Sequence, residues 1–391
     1  MYFNRFFVFS LYVLLMLSIA PLRQIVGQEN QAQQSTGQEA KQPASPATQD
    51  ESVATTENKT STDPKPETKT STCKVCRWFE LSDANIRLRY RFIENSRGVT
   101  TNNQLQYGDI FKGRFKFDEP GNYSINFGLF SGNNFAGGWN NTGIGTDKGV
   151  TNHYLKQLYF SAKPFKGVEI QYGGFGISRG ESTEITSYDD DGYLMGERLI
   201  IKQRRKLFFD EIGITYGYIG DLTTPSVIKR FHRLGESNYH QFLVRREIDK
   251  RASLSVDYTF AAGTETMREA VKINTKELKA LDSIRLQLYQ RMDVKPDSGF
   301  AISGEKQLTK RFKLELGYAQ IDRDNGTLNG DKFGRGKRGY LDFTFEIRPG
   351  ITLKTFATRA FGNSYDITNR TRVDVSVSYD LLKIFKKTST H

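Results

Sequence analysis

Six cations set two short segments of this chain apart. Arg87, Arg89 and Arg91 stand at every second position, and Lys112, Arg114 and Lys116 repeat the spacing further on. A period of two puts alternate side chains on one face of an extended strand, so each trio forms a basic strip. Side by side, such strips attract anions, or they pair with acids on neighbouring strands. Lys202, Arg204, Arg245, Arg285, Arg291 and Lys313 share the same parity within their own segments. The acids that could meet them are Glu169, Asp257, Glu305, Glu315, Asp342, Glu346, Asp374 and Asp380. From Glu80 onward 48 Lys and Arg face 37 Asp and Glu, so most of the formal charge of +12 lies here.

The other reactive side chains offer little chemistry. His153, His232, His240 and His391 are the only histidines, and none sits in a Ser/His/Asp or metal-ligand spacing. His153 and His240 could serve only in a site assembled across strands. No catalytic residue, metal or cofactor is therefore expected, and the chain does not read as an enzyme. Cys73 and Cys76 are the only cysteines; in a secreted chain they favour a disulfide with each other. No His follows Cys76, so covalent haem attachment is not indicated, and two Cys alone make a poor zinc site. Glu181, Glu184 and the run Asp189-Asp190-Asp191-Gly192 concentrate acid in one Gly-rich stretch. It lacks the spaced ligands of an EF-hand and reads first as a solvated surface loop. The alternative is a constriction loop whose acid faces the basic strips. The stretch Ser131–Asn152, with Gly137, Gly138 and Trp139, could narrow a lumen in the same way.

The elements that hold these side chains are strands. Phe (28), Tyr (19) and Gly (35) are abundant, and mean hydropathy is −0.55, which does not suit a helical membrane protein. Large apolar residues alternate at Ile86/Leu88/Tyr90/Phe92, Tyr123/Ile125/Phe127/Leu129, Ile212/Ile214/Tyr216/Tyr218 and Leu254/Val256/Tyr258/Phe260. The series ends with Val373/Val375/Val377/Tyr379/Leu381. Tight connections such as Asp118–Asn122, Lys163–Gly167, Ile248–Arg251 and Arg348–Gly350 alternate with long ones: Ser131–Asn152, Ser178–Gly196, Gly220–Asn238 and Ile321–Arg335. Phe117, Tyr123, Phe165, Phe208, Phe209 and Phe312 fall beside the tight turns, where an interfacial girdle would lie. The pattern predicts an all-β chain, an antiparallel transmembrane β-barrel of about 16 strands, with 14 to 18 in range.

Before the strands, residues 1–27 read as a signal peptide: Arg5, an apolar run Phe6–Ala20, and Gly27 as a small residue for cleavage. An uncleaved N-terminal anchor is the alternative. Residues 28–72 are rich in Gln, Ser, Thr and Pro and predict a disordered periplasmic segment. Residues 73–79 form a Cys-x-x-Cys lead-in, and 80–391 the barrel with a short C-terminal tail.

Alternating short and long connections around such strands, with a closing strand of large alternate residues, resemble bacterial outer-membrane porin-like β-barrels as a class. The resemblance runs from about Glu80 to Leu381, and Leu382–His391 departs from it by continuing past the final strand. It implies a Gram-negative outer membrane, contact with lipid and lipopolysaccharide, and a homo-oligomer as an option. The expected function is passive diffusion of small hydrophilic solutes, anions included. The first alternative is a structural or partner-binding barrel, including a sleeve for a redox partner, which the run Cys73-Lys74-Val75-Cys76 also resembles. The second is a barrel-embedded hydrolase. No nucleic-acid partner is expected.

Overall fold

The structure, a computed structural model, describes residues 77–391 apart from 136, 147, 189–192, 204–207, 249–250, 276, 278–279, 294–297, 323–332, 334, 363–369 and 389–391. The signal, anchor and disordered-segment expectations and the Cys73–Cys76 pair lie outside the described residues, as do Arg204 and Asp189–Asp191.

Seventeen strands form one antiparallel sheet. They are β1 (Phe79–Glu94), β2 (Thr100–Lys116), β3 (Tyr123–Ser131), β4 (Asn140–Asn141), β5 (His153–Phe165), β6 (Val168–Gly176), β7 (Tyr193–Lys202), β8 (Glu211–Tyr218), β9 (Tyr239–Ile248), β10 (Ala252–Ala261), β11 (Thr264–Asn274), β12 (Ser283–Arg291), β13 (Ser298–Thr309), β14 (Phe312–Ile321), β15 (Gly336–Arg348), β16 (Ile351–Phe361) and β17 (Thr371–Asp380). β4 is a two-residue strand that pairs only with the upper part of β2. The other 16 are staves, each bonded to its neighbours in sequence, and β1 pairs with both β2 and β17. The ring is closed, which leaves no sheet edge. The segments with the least obvious strand pattern, Ala270–Ile273 and Leu199–Ile201, are both inside staves.

Register fixes the two faces. On β12, Leu288 is 46% exposed while its neighbour Gln287 is fully buried. The same parity turns Ile86, Leu88, Ile125, Ile170, Ile214, Phe242, Ile302 and Leu316 outward and exposes them all. In water such a continuous apolar outer face would be unstable; it is the face a hydrocarbon layer requires. Phe117, Tyr123, Phe165 and Phe208 are exposed beside the tight turns, as an interfacial girdle would be, and Phe312 lies there tilted against Phe343 and edge-on to Phe345. Glu269 breaks the pattern, facing out between Val256 and Leu288; nothing in the structure explains it.

The two rims differ, though not in strict alternation. One carries the connections 132–152, 177–192, 219–238 and 322–335, the other the tight turns after β2, β5, β9 and β15. However, β10 and β11 meet on the long-loop rim through Ala262 and Gly263 alone, both at positive φ. That two-residue geometry matches the right-handed twist of a hairpin and needs no loop. β11 and β12 are joined on the other rim by residues 275–282. β1 begins and β17 ends on the tight-turn rim. The tail after β17 is not irregular: Leu381–Thr388 is a helix, α1.

The outward face makes a depth-dependent expectation. Leu316→Arg, near mid-stave, should destabilise the folded barrel in vesicles by about 2–4 kcal/mol, whereas Leu308→Arg at the rim should cost about 0–1 kcal/mol. Denaturant unfolding in lipid checks this, and equal costs at the two positions would contradict the assignment of faces.

Candidate functional site in the barrel lumen

The loop after β6 does not project from the rim. Its residues 178–188 run inside the barrel, where inward side chains of several staves hold them. Gln241 of β9 donates to Ser178 O at 2.7 Å, and Glu181 N donates to Ser255 Oγ of β10 at 2.8 Å. Gln287 Oε1 of β12 accepts from Thr183 N, Thr183 Oγ1 and Thr186 Oγ1 at 2.7, 3.0 and 2.8 Å. Arg268 of β11 donates to Thr186 O at 2.7 Å. Ile185 enters an apolar cluster with Ala301, Ala319, Ile321, Phe333, Tyr340 and Phe356. Backbone that leaves the sheet must find partners elsewhere, and here the lumen wall supplies them. The solvated-surface-loop expectation is therefore corrected for these residues: Ser182, Thr186, Ser187 and Tyr188 are all buried. Tyr193–Gly196, assigned to the loop from sequence, belong to β7. Glu181 pairs with Arg245 at 2.9 Å and Glu184 lies 3.9 Å from Arg179. Their charge is thus largely matched locally.

A second loop, 132–152, also bends toward the wall. Trp139 lies over Arg87 and Arg89, with guanidinium carbons 4.6 and 3.8 Å from its ring centre. Gly108, directly opposite Arg87 on β2, makes room: a Cβ there would sit 2.7 Å from Gly138 O. Lys156 anchors the loop from β5. Its buried ammonium donates to Ser131 O and Asn134 O at 2.8 and 2.7 Å, and to Gly137 O. A lysine needs about three acceptors when buried, and this loop provides them.

Register turns all nine basic candidates inward, but it does not leave them equivalent. Arg91 forms a two-bond pair with Asp374 at 3.0 and 3.3 Å, Arg89 lies 3.8 Å from it, and Arg372 donates to it at 2.6 Å. Three guanidinium groups, those of Arg89, Arg91 and Arg372, thus surround one carboxylate. Arg114 and Lys116 share Glu80, Lys313 pairs with Glu305, and Arg291 with Asp293. Among the described residues Arg87 has no carboxylate within ion-pair distance and two of its nitrogens lack a hydrogen-bond acceptor; the same holds for Arg285 Nε. Lys112 faces Asp83 in register without forming an ion pair, and its ammonium lies 5.5 Å from the Phe130 ring. Lys272 was not singled out from sequence. It stands directly opposite Arg285, so two like charges adjoin on the wall. Its signal was there to read: Lys272 alternates with Ala270 and Arg268 on the inward parity of β11.

His153 and His240 stay outside this site. His153 bonds Asp109 at 3.0 Å, and His240 bonds Ser237 at 2.7 Å. Ser131, opposite His153, spends its hydroxyl on Gly138 O, so no nucleophile–base pair forms there. Among the described residues no His, Cys, Asp and Glu group could hold a metal.

At the long-loop rim Arg233 binds Asp221 at 2.8 Å and Glu236 at 2.9 Å, clasping the loop 219–238. The Arg233 hydrogen bond holds the Asp221 carboxyl below its ordinary 3.8. A depressed carboxylate stabilises above its unfolded value and loses that contribution as pH falls through the folded one. Pepsin should therefore spare 221–236 at about pH 4 and cut it increasingly towards pH 2; sensitivity already present at pH 4 would contradict the clasp. The lumenal loop makes a separate prediction. Gln287→Leu removes three acceptor contacts worth about 1 kcal/mol each, so amide exchange of 181–187 should accelerate on the order of a hundredfold. Unchanged exchange would show that the loop is held some other way.

No protein-family model matches the chain, and no curated protein matches it in sequence. Solved structures do match in fold. Salmonella typhi OmpF, in a complex with daunomycin, superposes with a TM-score of 0.50 at 10% identity, covering 77% of this chain and 97% of its own. A Rhodopseudomonas blastica porin triple mutant matches at 0.48 and 11%, covering 78% of this chain and 100% of its own. The closed ring, the outward apolar face and the superposition on OmpF agree: the chain has the 16-stranded antiparallel barrel fold of bacterial porins.

Proposed function

We propose that the protein is a channel in the outer membrane of a Gram-negative bacterium, passing small hydrophilic solutes with a preference for anions. The tight-turn rim then faces the periplasm and the long-loop rim the exterior, where lipopolysaccharide would surround it. The chain ahead of β1 leaves from the periplasmic rim, which suits residues 28–72 as a tether there and 1–27 as a cleaved signal.

One observation carries the anion preference. Among the described residues, Arg87, Lys112, Lys272 and Arg285 are inward cations that form no ion pair with a carboxylate. The loop 178–188 supports passage through a narrowed lumen rather than a wide hole, since it is clamped to β9–β12. β10 is eight staves round the ring from β1, so this loop lies across from the arginine wall on β17, β1 and β2. A solute would pass between a wall of guanidinium groups and a loop whose acids Glu181 and Glu184 are already engaged. Fixed charges lining a constriction set ion preference directly.

Planar-bilayer recording tests this. Discrete conductance steps are expected, with a reversal potential in a salt gradient that favours chloride. A unit charge about 5 Å from a passing ion is worth roughly 0.8 kcal/mol in water, about fourfold in permeability. Arg87→Gln with Lys272→Gln should therefore move the reversal potential clearly towards zero; an unchanged value would contradict the role given to these cations.

A further inference from the structure

The helix α1 (Leu381–Thr388) is not used by the channel reading, and it follows β17 with no linker. Asp380, the last residue of β17, starts it: its carboxylate accepts from Lys383 N at 3.1 Å and pairs with Lys383 Nζ at 3.3 Å. This is the N-cap arrangement, so the helix begins on the rim itself. Asp380 N in turn donates to Gly350 O in the β15–β16 turn. Ile384 packs on that turn, where a Cβ on Gly350 would come within 2.7 Å of it.

The helix bends to the outside of the barrel. Register turns Ile351 and Ala84 outward on either side of the β17 end, yet they are only 7% and 2% exposed. Outward residues elsewhere on this rim, Phe117 and Phe165, are more than half exposed. The covering element at this point is α1, which lies against β1 and β17. Phe385, on the same helix, is 65% exposed and continues the aromatic girdle of the rim. At 100° per residue, Leu381, Leu382, Ile384 and Phe385 fall on one side of the helix, and positions 383, 386 and 387, all Lys, fall on the other. The helix contains no acidic residue.

We infer that α1 is an interfacial anchor that docks on anionic phospholipid headgroups of the membrane leaflet at the tight-turn rim. The apolar side enters the boundary of the acyl layer and the opposite, basic side faces the headgroup phosphates. A Phe that would be costly in water is covered by lipid, and the basic side, where Lys383 is shared with Asp380, selects an anionic surface over a neutral one. The inference rests on the membrane placement above and adds a lipid class to it.

The test uses the full chain with Cys73→Ser and Cys76→Ser, so that Phe385→Cys can carry a polarity-sensitive fluorophore. It is placed in phosphatidylcholine vesicles with increasing phosphatidylglycerol. Quenching by lipids bearing a nitroxide near the headgroup should rise with phosphatidylglycerol, and be weak for the same barrel held in an amphipathic polymer. Adding Lys383→Glu, Lys386→Glu and Lys387→Glu should abolish that rise, each lost positive charge lowering docking about fivefold. A probe unquenched at every composition would overturn the anchor. Quenching indifferent to phosphatidylglycerol would overturn the anionic preference. Flotation and heat-modifiable gel mobility report separately whether the barrel has entered the bilayer. A barrel that never enters would sink the membrane placement, and the anchor with it.

Discussion

Everything in this protein depends on the ladder between β1 and β17. Ten register pairs, from Asn85↔Asp380 to Glu94↔Thr371, join the first stave to the last. Without them the sheet would present two open edges to hydrocarbon, where each unpaired N–H or carbonyl costs several kcal/mol. With them, every stave has two neighbours, and parity alone decides which side chains face lipid and which face the lumen. The same ladder brings Arg89 and Arg91 next to Asp374. The ion cluster on the lumen wall is thus a consequence of closure as well as a support for it.

Closure creates a wide interior, and the rest of the molecule fills and charges that interior unevenly. The loop 178–188 is pinned by Gln241, Ser255, Arg268 and Gln287, and each gives a fixed backbone atom a partner it lost on leaving the sheet. Trp139 is laid on Arg87 and Arg89 because Gly108 leaves space. Lys156 holds that second loop by three carbonyls. Charged side chains are thereby spent on architecture at some positions and left uncompensated at others. The difference between Arg91 and Arg87, four residues apart on one strand face, is the presence of Asp374 within reach of only one of them.

Much of this was legible in the sequence. Alternation at period two marked the staves and the inward parity of Arg87, Arg89, Arg91, Lys112, Arg114 and Lys116, because side-chain direction in a strand is strictly local. Ion pairing was not legible, since Arg91 and Asp374 lie 283 residues apart and meet only through closure. The inward path of 178–188 was not decided either. An acidic Gly-rich stretch looks alike whether it is solvated or folded into a lumen, and its anchors are scattered over four staves. The hairpin at Ala262–Gly263 was missed because rim identity was inferred from loop length, which a tight turn defeats. In the sequence alone α1 looks like a trailing tail; eight residues carry too little periodicity to stand out unless the preceding strand fixes where they start.

As the channel proposed above, the closed barrel has a lumen that is open but narrowed from within. Swelling of vesicles containing the purified protein, in neutral sugars of increasing size, measures this most directly. Small sugars should enter fast, with a steep fall as solute size grows. Vesicles with a folded, inserted barrel that admit no sugar, or that admit large and small sugars at equal rates, would contradict it.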